Sequence, residues 1–487
     1  MPKGLPEPDT DRDAGSRPTT PRFAPVLLRR FVSASLVSFF ALGSAILGCS
    51  EAPREFSPNV FLITVDTLRA DRLGAYGSRR NLTPRLDALA EASLVFDHAY
   101  STAPLTLPSV SSLLTGRHPS VTGVTSNLGI VPETLPTLAS RLRNHGWRTG
   151  AVVSNFALRT VTRLDRGFDR YDDRLDRVEL NRDHPERIAG GTRAAALRLL
   201  DELTAASEKP VFLWVHFQDP HGPYTPPDGY LERTIEAARA APDARRRLPL
   251  ASTGSGFGAI PNYQVLGNER GVAFYRASYD AEVLYTDTEI GALLDGIEER
   301  GLLEDAIVVF ATDHGEGLGE SDYWFAHREH LTDPLVHVPL MIRAPGVAPG
   351  RSSDLASLLD VFPTLLGLLG LERETGEGRD LLGDESEPPG LLLSTFEGSK
   401  PPRFAVVADG FKYTLSRSGE AAQEDLHRLG DESRNLAEEQ PERLASFRRL
   451  LRVLQDQLPP QIGPSNRQTP TELEKARLRA LGYAVDP

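Results

Sequence analysis

Residues 60–77 read VFLITVDTLRADRLGAYG, and this stretch decides the fold class. Six apolar or β-branched residues run unbroken to Asp66, with none of the alternation a half-exposed strand would show. A strand reads this way when both of its faces are buried in a parallel sheet. The same texture recurs at 151–154, 211–217 and 306–311. Helical patterns lie between these runs. Thr83-Pro84 offers a cap and a first-turn proline ahead of Leu86, Leu89 and Ala90. Leu135, Leu138 and Leu142 share a face before Gly146, and 279–299 is amphipathic. Strands alternating with helices predict an α/β fold: a doubly wound, mostly parallel central sheet with helices on both faces.

The chain has 487 residues, 40% hydrophobic and 25% charged, with a formal charge of -13. That acidic balance argues against nucleic acid as a partner. Residues 1–49 read as an export segment: Arg29-Arg30 precede the uncharged run 31–48, and Cys49 follows at once. Ile46-Leu47-Gly48-Cys49 resembles a bacterial lipobox, which makes Cys49 the expected lipidation site. An uncleaved membrane anchor is the alternative, because 18 apolar residues just reach spanning length. Either route puts the body outside the cytoplasm, on the periplasmic face of a membrane. Cys49 is the only cysteine, so the body carries neither a disulfide nor thiol chemistry.

Residues 50–57 read as a tether and 58–390 as the catalytic domain. Within it, 228–272 is rich in Arg, Ala and Gly without clear periodicity, and reads as an insertion loop near the site. The acidic stretch 372–390, the alternating 405–415 and the amphipathic 441–458 mark a smaller C-terminal α+β subdomain over 391–487.

In open α/β sheets, reactive groups gather where strands end. Asp66 follows the first strand directly, and Asp313-His314 follows the 306–311 strand. Two carboxylates and an imidazole on one sheet edge form a candidate site for a divalent cation. Thr106 lies at the start of a helix in which Pro108 can occupy the first turn and Gly116 the end. A hydroxyl there ordinarily caps the helix, although the helix amino terminus also favours a developing oxyanion.

Several motifs then carry a family resemblance. LTLPSVSSLLTGR (105–117), VHFQDPHGPYTPP (215–227), ATDHGEGLGE (311–320), VPLMIRAPG (338–346) and DVFPTLLGLLGL (360–371) follow the opening stretch in order, and GFKYTL and RNLAEE come near the end. Together they resemble the sulfatase branch of the alkaline phosphatase superfamily. The resemblance implies one divalent ion (Ca²⁺, Mn²⁺ or Zn²⁺) on Asp66, Asp313 and His314, and it makes Thr106 the nucleophile. It also implies that His221 contacts the transferring group or the leaving oxygen and that His327 protonates the leaving group, and either imidazole can serve as the general acid. Arg117 and Asn155 are candidates for substrate binding. His216, His330, His337 and Asp219 are candidates for a second ion, but no spacing here matches the two-metal members.

The departures redirect the expected chemistry. Where sulfatases resemble Cys-x-Pro-Ser-Arg, with the Cys or Ser oxidised to formylglycine, this chain has Thr106, Leu107, Pro108, Ser109 and Val110. The family's second aspartate is Thr67, and its Lys-Trp-His motif is Asn155-Phe156-Ala157. A formylglycine hydrate expels sulfate by collapsing to the aldehyde, whereas a Thr ester needs a fresh attack on the bound group. The expected function is therefore metal-dependent hydrolysis of a phosphate or sulfate ester, phosphate favoured. The substrate class is an anionic ester of a glycan, lipid or small molecule. The alternative is a membrane-tethered transferase that passes a phosphoryl-linked group from Thr106 to a lipid or glycan.

Overall fold

A computed structural model describes residues 57–462, apart from 176, 179–184, 206, 375, 397–401 and 419–420. Cys49, the 31–48 run and the end of the chain after 462 lie outside the described residues. Among those described, no helix is long and apolar enough to cross a membrane.

The central sheet has eight strands: β1 (Val60–Val65), β2 (Leu94–Tyr100), β3 (Arg148–Val153), β4 (Arg170–Asp172), β5 (Val211–Phe217), β6 (Ile307–Thr312), β7 (Leu340–Arg343) and β8 (Gly350–Ser357). Their order is β8-β2-β7-β6-β1-β5-β3-β4, and only β7 runs antiparallel to its neighbours. β1 lies near the centre, parallel to β5 on one side and β6 on the other. Successive side chains of a strand point to opposite faces. Phe61, Ile63 and Val65 accordingly enter one core, while Val60 and Leu62 enter the other. Both faces need apolar residues, which is why the strand shows no alternation.

The helices are α1 (Pro84–Glu91), α2 (Thr106–Thr115), α3 (Leu138–Asn144), α4 (Ala189–Ala205), α5 (Leu231–Arg239), α6 (Val272–Glu298), α7 (Val361–Leu368) and α8 (Pro441–Gln457). α4 and α6 cover one face of the sheet, and α2, α3 and α7 the other. Three expectations need correction. The insertion at 228–272 contains α5, whose Ala238 packs on Ala273 and Ala277 of α6. α6 itself begins at Val272 rather than 279, extended by buried Val272, Ala273 and Tyr275. Thr83 stands at the cap position of α1, but its hydroxyl accepts from the Gly74 amide (3.1 Å) and makes no cap bond.

The C-terminal sheet is antiparallel, in the order β9 (Leu391–Thr395), β10 (Arg403–Ala408), β11 (Phe411–Ser418) and β12 (Ala421–Arg428). The alternating 405–415 stretch is thus a hairpin, not a single strand. Asp409 and Gly410 turn it with φ of 48° and 73°, the left-handed pair that a two-residue hairpin loop requires. α8 lays Leu444, Phe447 and Leu451 on Val406, Phe411 and Tyr413.

Lys412 of β11 ties this sheet to the catalytic body. Its ammonium, 1% exposed, lies 2.5 Å from Asp333 Oδ1 and also pairs with Glu432. Removing one partner of a buried pair strands the remaining charge. Lys412→Met should therefore destabilise the protein by about 3 kcal/mol, read as a lower urea midpoint. An unchanged midpoint would show that the pair does not hold the two parts together.

Candidate active site

Backbone hydrogen bonds carry the central ladder one step beyond the strands. The Asp66 amide donates to Phe217 O (2.9 Å) and the Asp313 amide to Val65 O (3.2 Å). Both carboxylates are thereby set at one sheet edge, where His314 joins them. One ligand atom from each of Asp66, Asp313 and His314 lies within 4.8 Å of the others, and all three residues are buried. His314 Nδ1 meets Gly315 O at 3.0 Å; a carbonyl only accepts, so Nδ1 carries the proton. That leaves the Nε2 lone pair facing the carboxylates, 3.6 Å from Asp66 Oδ1 and from Asp313 Oδ2. The turn tolerates no side chain at Gly315, where a Cβ would stand 1.9 Å from Pro334 O.

Thr67 makes the matching turn after β1 at φ 55°, a strained conformation for a β-branched residue. The strain coincides with two bonds. The Thr67 amide donates to Asp313 Oδ1 (3.3 Å), and its carbonyl accepts from the Tyr279 hydroxyl (2.7 Å).

Thr106 is the first residue of α2, not its cap; Leu105 holds that position and has no capping side chain. The Thr106 hydroxyl turns instead to the strand ends, 3.5 Å from Asp66 Oδ2 and 3.4 Å from His314 Nε2. Ser109 latches the helix there by donating to Asp313 O (2.7 Å). In the first turn, the Leu107 amide donates to Asn127 Oδ1 (2.8 Å) and the Ser109 amide to Leu105 O (3.0 Å). The helix therefore presents its dipole and the Thr106 hydroxyl, with these two amides already engaged.

His221 and His327 meet opposite these groups. Their ring centres are 5.2 Å apart, and His327 lies 4.6 Å from His314. His221 Nδ1 donates to Gly222 O (2.8 Å), while its Nε2 is buried with no partner among the described residues. His216 closes the floor of the group, with Nε2 3.8 Å from Asp66 Oδ2 and Nδ1 2.8 Å from the Thr64 hydroxyl.

The other expected residues are placed differently. Asn155 accepts from the Ala157 amide (2.7 Å) and donates its own amide in a short bond to Asp66 Oδ2. It braces a carboxylate. Arg117 follows the far end of α2, about 15 Å from Thr106 at the rise of a helix, and pairs with Glu377 (2.9 Å). Asp219 accepts from the Ala189 amide at the start of α4 (2.5 Å). His337 bonds Asp97 O (2.8 Å), and His330 stacks edge-on against Phe257 and Tyr323. None of these four joins the cluster.

Two residues that the sequence reading passed over do join it. Glu316 is fully buried, 3.4 Å from His327 Nδ1, and burial pushes its carboxyl up to about 7. Its place two residues after His314 in a motif already singled out was the available signal. Asn127 is buried against the start of α2 with its Nδ2 unpartnered among the described residues, and no local pattern marked it.

The electrostatics suit a cation. Burial pushes the Asp66 carboxyl up, but the neighbouring His221, His216 and His314 outweigh it and hold the group below the usual carboxylate range. Burial, and then the Asp66 charge, push Asp313 well above that range. Burial also drives His314 down to about 3, so its imidazole is neutral. Asp66 Oδ1 and Asp313 Oδ2 are buried without hydrogen-bond partners among the described residues. Two close carboxylates and a neutral imidazole form a coherent donor set for one divalent ion.

Comparisons with known proteins agree with this geometry. The family model described as Sulfatase matches residues 58–371. The chain is 28% identical over 428 residues to a choline-sulfatase of Rhizobium meliloti, covering 78% of this chain and 82% of that protein. Human iduronate 2-sulfatase is 27% identical over 391 residues, 64% of this chain and 69% of its own. The phosphonate monoester hydrolase of Agrobacterium radiobacter shares the fold at a TM-score of 0.67 and 20% identity, covering 82% of this chain and 96% of its own. With more than half of its length matched by that one family, and the strand-end carboxylates brought together as such a fold requires, the chain belongs to the sulfatase family and is an ester hydrolase of the alkaline phosphatase superfamily.

Proposed function

We propose that the protein is a metal-dependent hydrolase that works through Thr106 and prefers phosphoesters to sulfate esters. The observation that supports this most is the Thr106 hydroxyl, turned away from capping and toward Asp66 and His314. A divalent ion on Asp66, Asp313 and His314 would draw charge from the ester oxygens and favour the Thr106 alkoxide. Thr106 Oγ1, its proton given up to solvent, then attacks in line, its bond to phosphorus forming as the bond to the leaving oxygen breaks. His221 protonates that oxygen, or His327 once it has gained a second proton, which its burial opposes. Glu316 Oε1, 3.4 Å from His327 Nδ1, orients the His327 ring. Water next attacks the phosphoryl-threonine and restores the hydroxyl. A sulfate ester of Thr lacks the geminal hydroxyl that lets a formylglycine hydrate eject sulfate, which is the reason for preferring phosphate. The 31–48 run and Cys49 support a lipid-anchored, exported enzyme.

Three outcomes test this function. Thr106→Ala should lower kcat on aryl phosphate mono- or diesters by at least about 10³-fold, the scale of losing a nucleophile. Turnover of sulfate esters alone, or full activity in that variant, would sink the assignment. The purified protein should hold close to one equivalent of divalent metal by elemental analysis, and Asp313→Asn should lose it. Asn155→Ala, which frees Asp66 Oδ2, should weaken metal affinity by about 10–100-fold, as removal of an outer hydrogen bond to a ligand does. An unchanged affinity would leave Asn155 without a bracing role.

A further inference from the structure

Gln264 lies in the insertion, on the short 3-10 turn Asn262–Gln264, and its side chain is fully buried. Neither amide atom, Oε1 nor Nε2, has a hydrogen-bond partner among the described residues. A buried amide that bonds nothing is costly, and native folds rarely keep one without a reason. Its location supplies a reason. A Cβ at Gly222 would stand 2.0 Å from Gln264 Oε1 and 2.1 Å from Nε2, so the amide lies against the residue beside His221. Two further atoms in that turn are equally unpartnered among the described residues: His221 Nε2 and the buried Gln218 Oε1.

Most unpartnered atoms of this region divide by chemistry; Glu316 Oε2, beside His327, and the Tyr224 hydroxyl are also unpartnered among the described residues. Those at the strand ends, Asp66 Oδ1 and Asp313 Oδ2, are anionic or acidic and call for a cation. Those on the insertion side are two amide oxygens that accept, one amide nitrogen that donates, and one imidazole nitrogen, which accepts in the neutral ring because Nδ1 holds its proton and donates only in the protonated one. A guest that satisfies them brings hydroxyl groups, which donate and accept at once. A guest with an alkyl or aryl surface leaves all of them unsatisfied.

The insertion holds Gln264 in place. The Trp324 amide donates to Gly256 O (2.8 Å) and the Gly258 amide to Asp322 O (2.8 Å). The Tyr263 hydroxyl donates to Phe325 O (3.1 Å), and the Gln264 amide to Pro261 O (3.0 Å). Its neighbour Tyr263 stacks near the His221 ring, with centres 6.3 Å apart. Rigid placement beside a proton-donating histidine locates Gln264 on the leaving-group side of the site.

We propose that Gln264 determines leaving-group specificity by hydrogen-bonding a free hydroxyl on the alcohol half of the ester, so that the substrates are polyol or sugar esters. This inference rests on the hydrolase function proposed above. A site built to pair a substrate hydroxyl discriminates strongly against the analogue that lacks it, because its own polar atoms are then left unpaired.

The test compares two phosphate esters of matched intrinsic reactivity, glycerol 1-phosphate and 1-propyl phosphate, on the intact metal-loaded protein. The wild type should favour the glycerol ester in kcat/KM by at least about 10²-fold. In Gln264→Met, which keeps the length and removes both polar atoms, that ratio should collapse by about the same factor. The wild-type ratio alone decides the matter if the variant does not fold. Hydrolysis of both esters without preference, or an unchanged ratio in the folded variant, would overturn the role of Gln264 while leaving the hydrolase function intact. An equal loss on both esters would mean that the amide holds only ordered water, and would overturn it too. A wild type that hydrolyses neither these nor aryl phosphates overturns both proposals.

Discussion

Two buried carboxylates held within a few ångströms of each other cannot both carry their charge unless a positive charge lies between them. Asp66 and Asp313 stand in that relation at the ends of two adjacent strands, each essentially unexposed. Among the described residues no lysine or arginine pairs with either of them. The protein supplies His314, whose burial keeps the ring neutral and whose bond to Gly315 O turns the lone pair inward. The extended ladder, the strained Thr67 and the Asn155 bond to Asp66 all hold this arrangement in place, a donor set compatible with one divalent cation.

The same arrangement explains the start of α2. A threonine at a helix terminus usually satisfies backbone amides, and that duty has passed to other groups here. Asn127 takes the Leu107 amide, Pro108 has none to offer, and Ser109 is occupied in latching the helix to Asp313 O. Relieved of capping, the Thr106 hydroxyl is available for chemistry. Replacement of the oxidised cysteine of the sulfatases by threonine is consistent with a site that hydrolyses its own covalent ester by a second attack.

The insertion and the C-terminal sheet play different parts around this centre. The insertion brings Tyr263 and Gln264 to the His221 turn. The C-terminal sheet packs Leu391, Leu393, Ala405 and Val407 against Tyr100, Tyr323 and Leu335 of the body, and its buried Lys412 pairs with Asp333 there and with its own Glu432. On the proposal made for Gln264 the first would shape what the enzyme accepts, while the second is joined to the body in part by that buried ion pair.

The central strands were legible in the chain because burial on both faces forces continuous apolar runs, and their ends locate Asp66, Asp313 and His314 within a residue. Those signals are local. The pairing of Asn155 with Asp66, the capture of Arg117 by Glu377, and the approach of Glu316 and Gln264 to the histidines depend on which distant elements become neighbours. Hydrogen bonds spanning tens to hundreds of residues leave no periodic trace in a sequence. Thr106 shows the division most clearly. Its helical position could be read from Pro108 and Gly116, but only the packed structure determined that its hydroxyl faces the carboxylates rather than its own backbone.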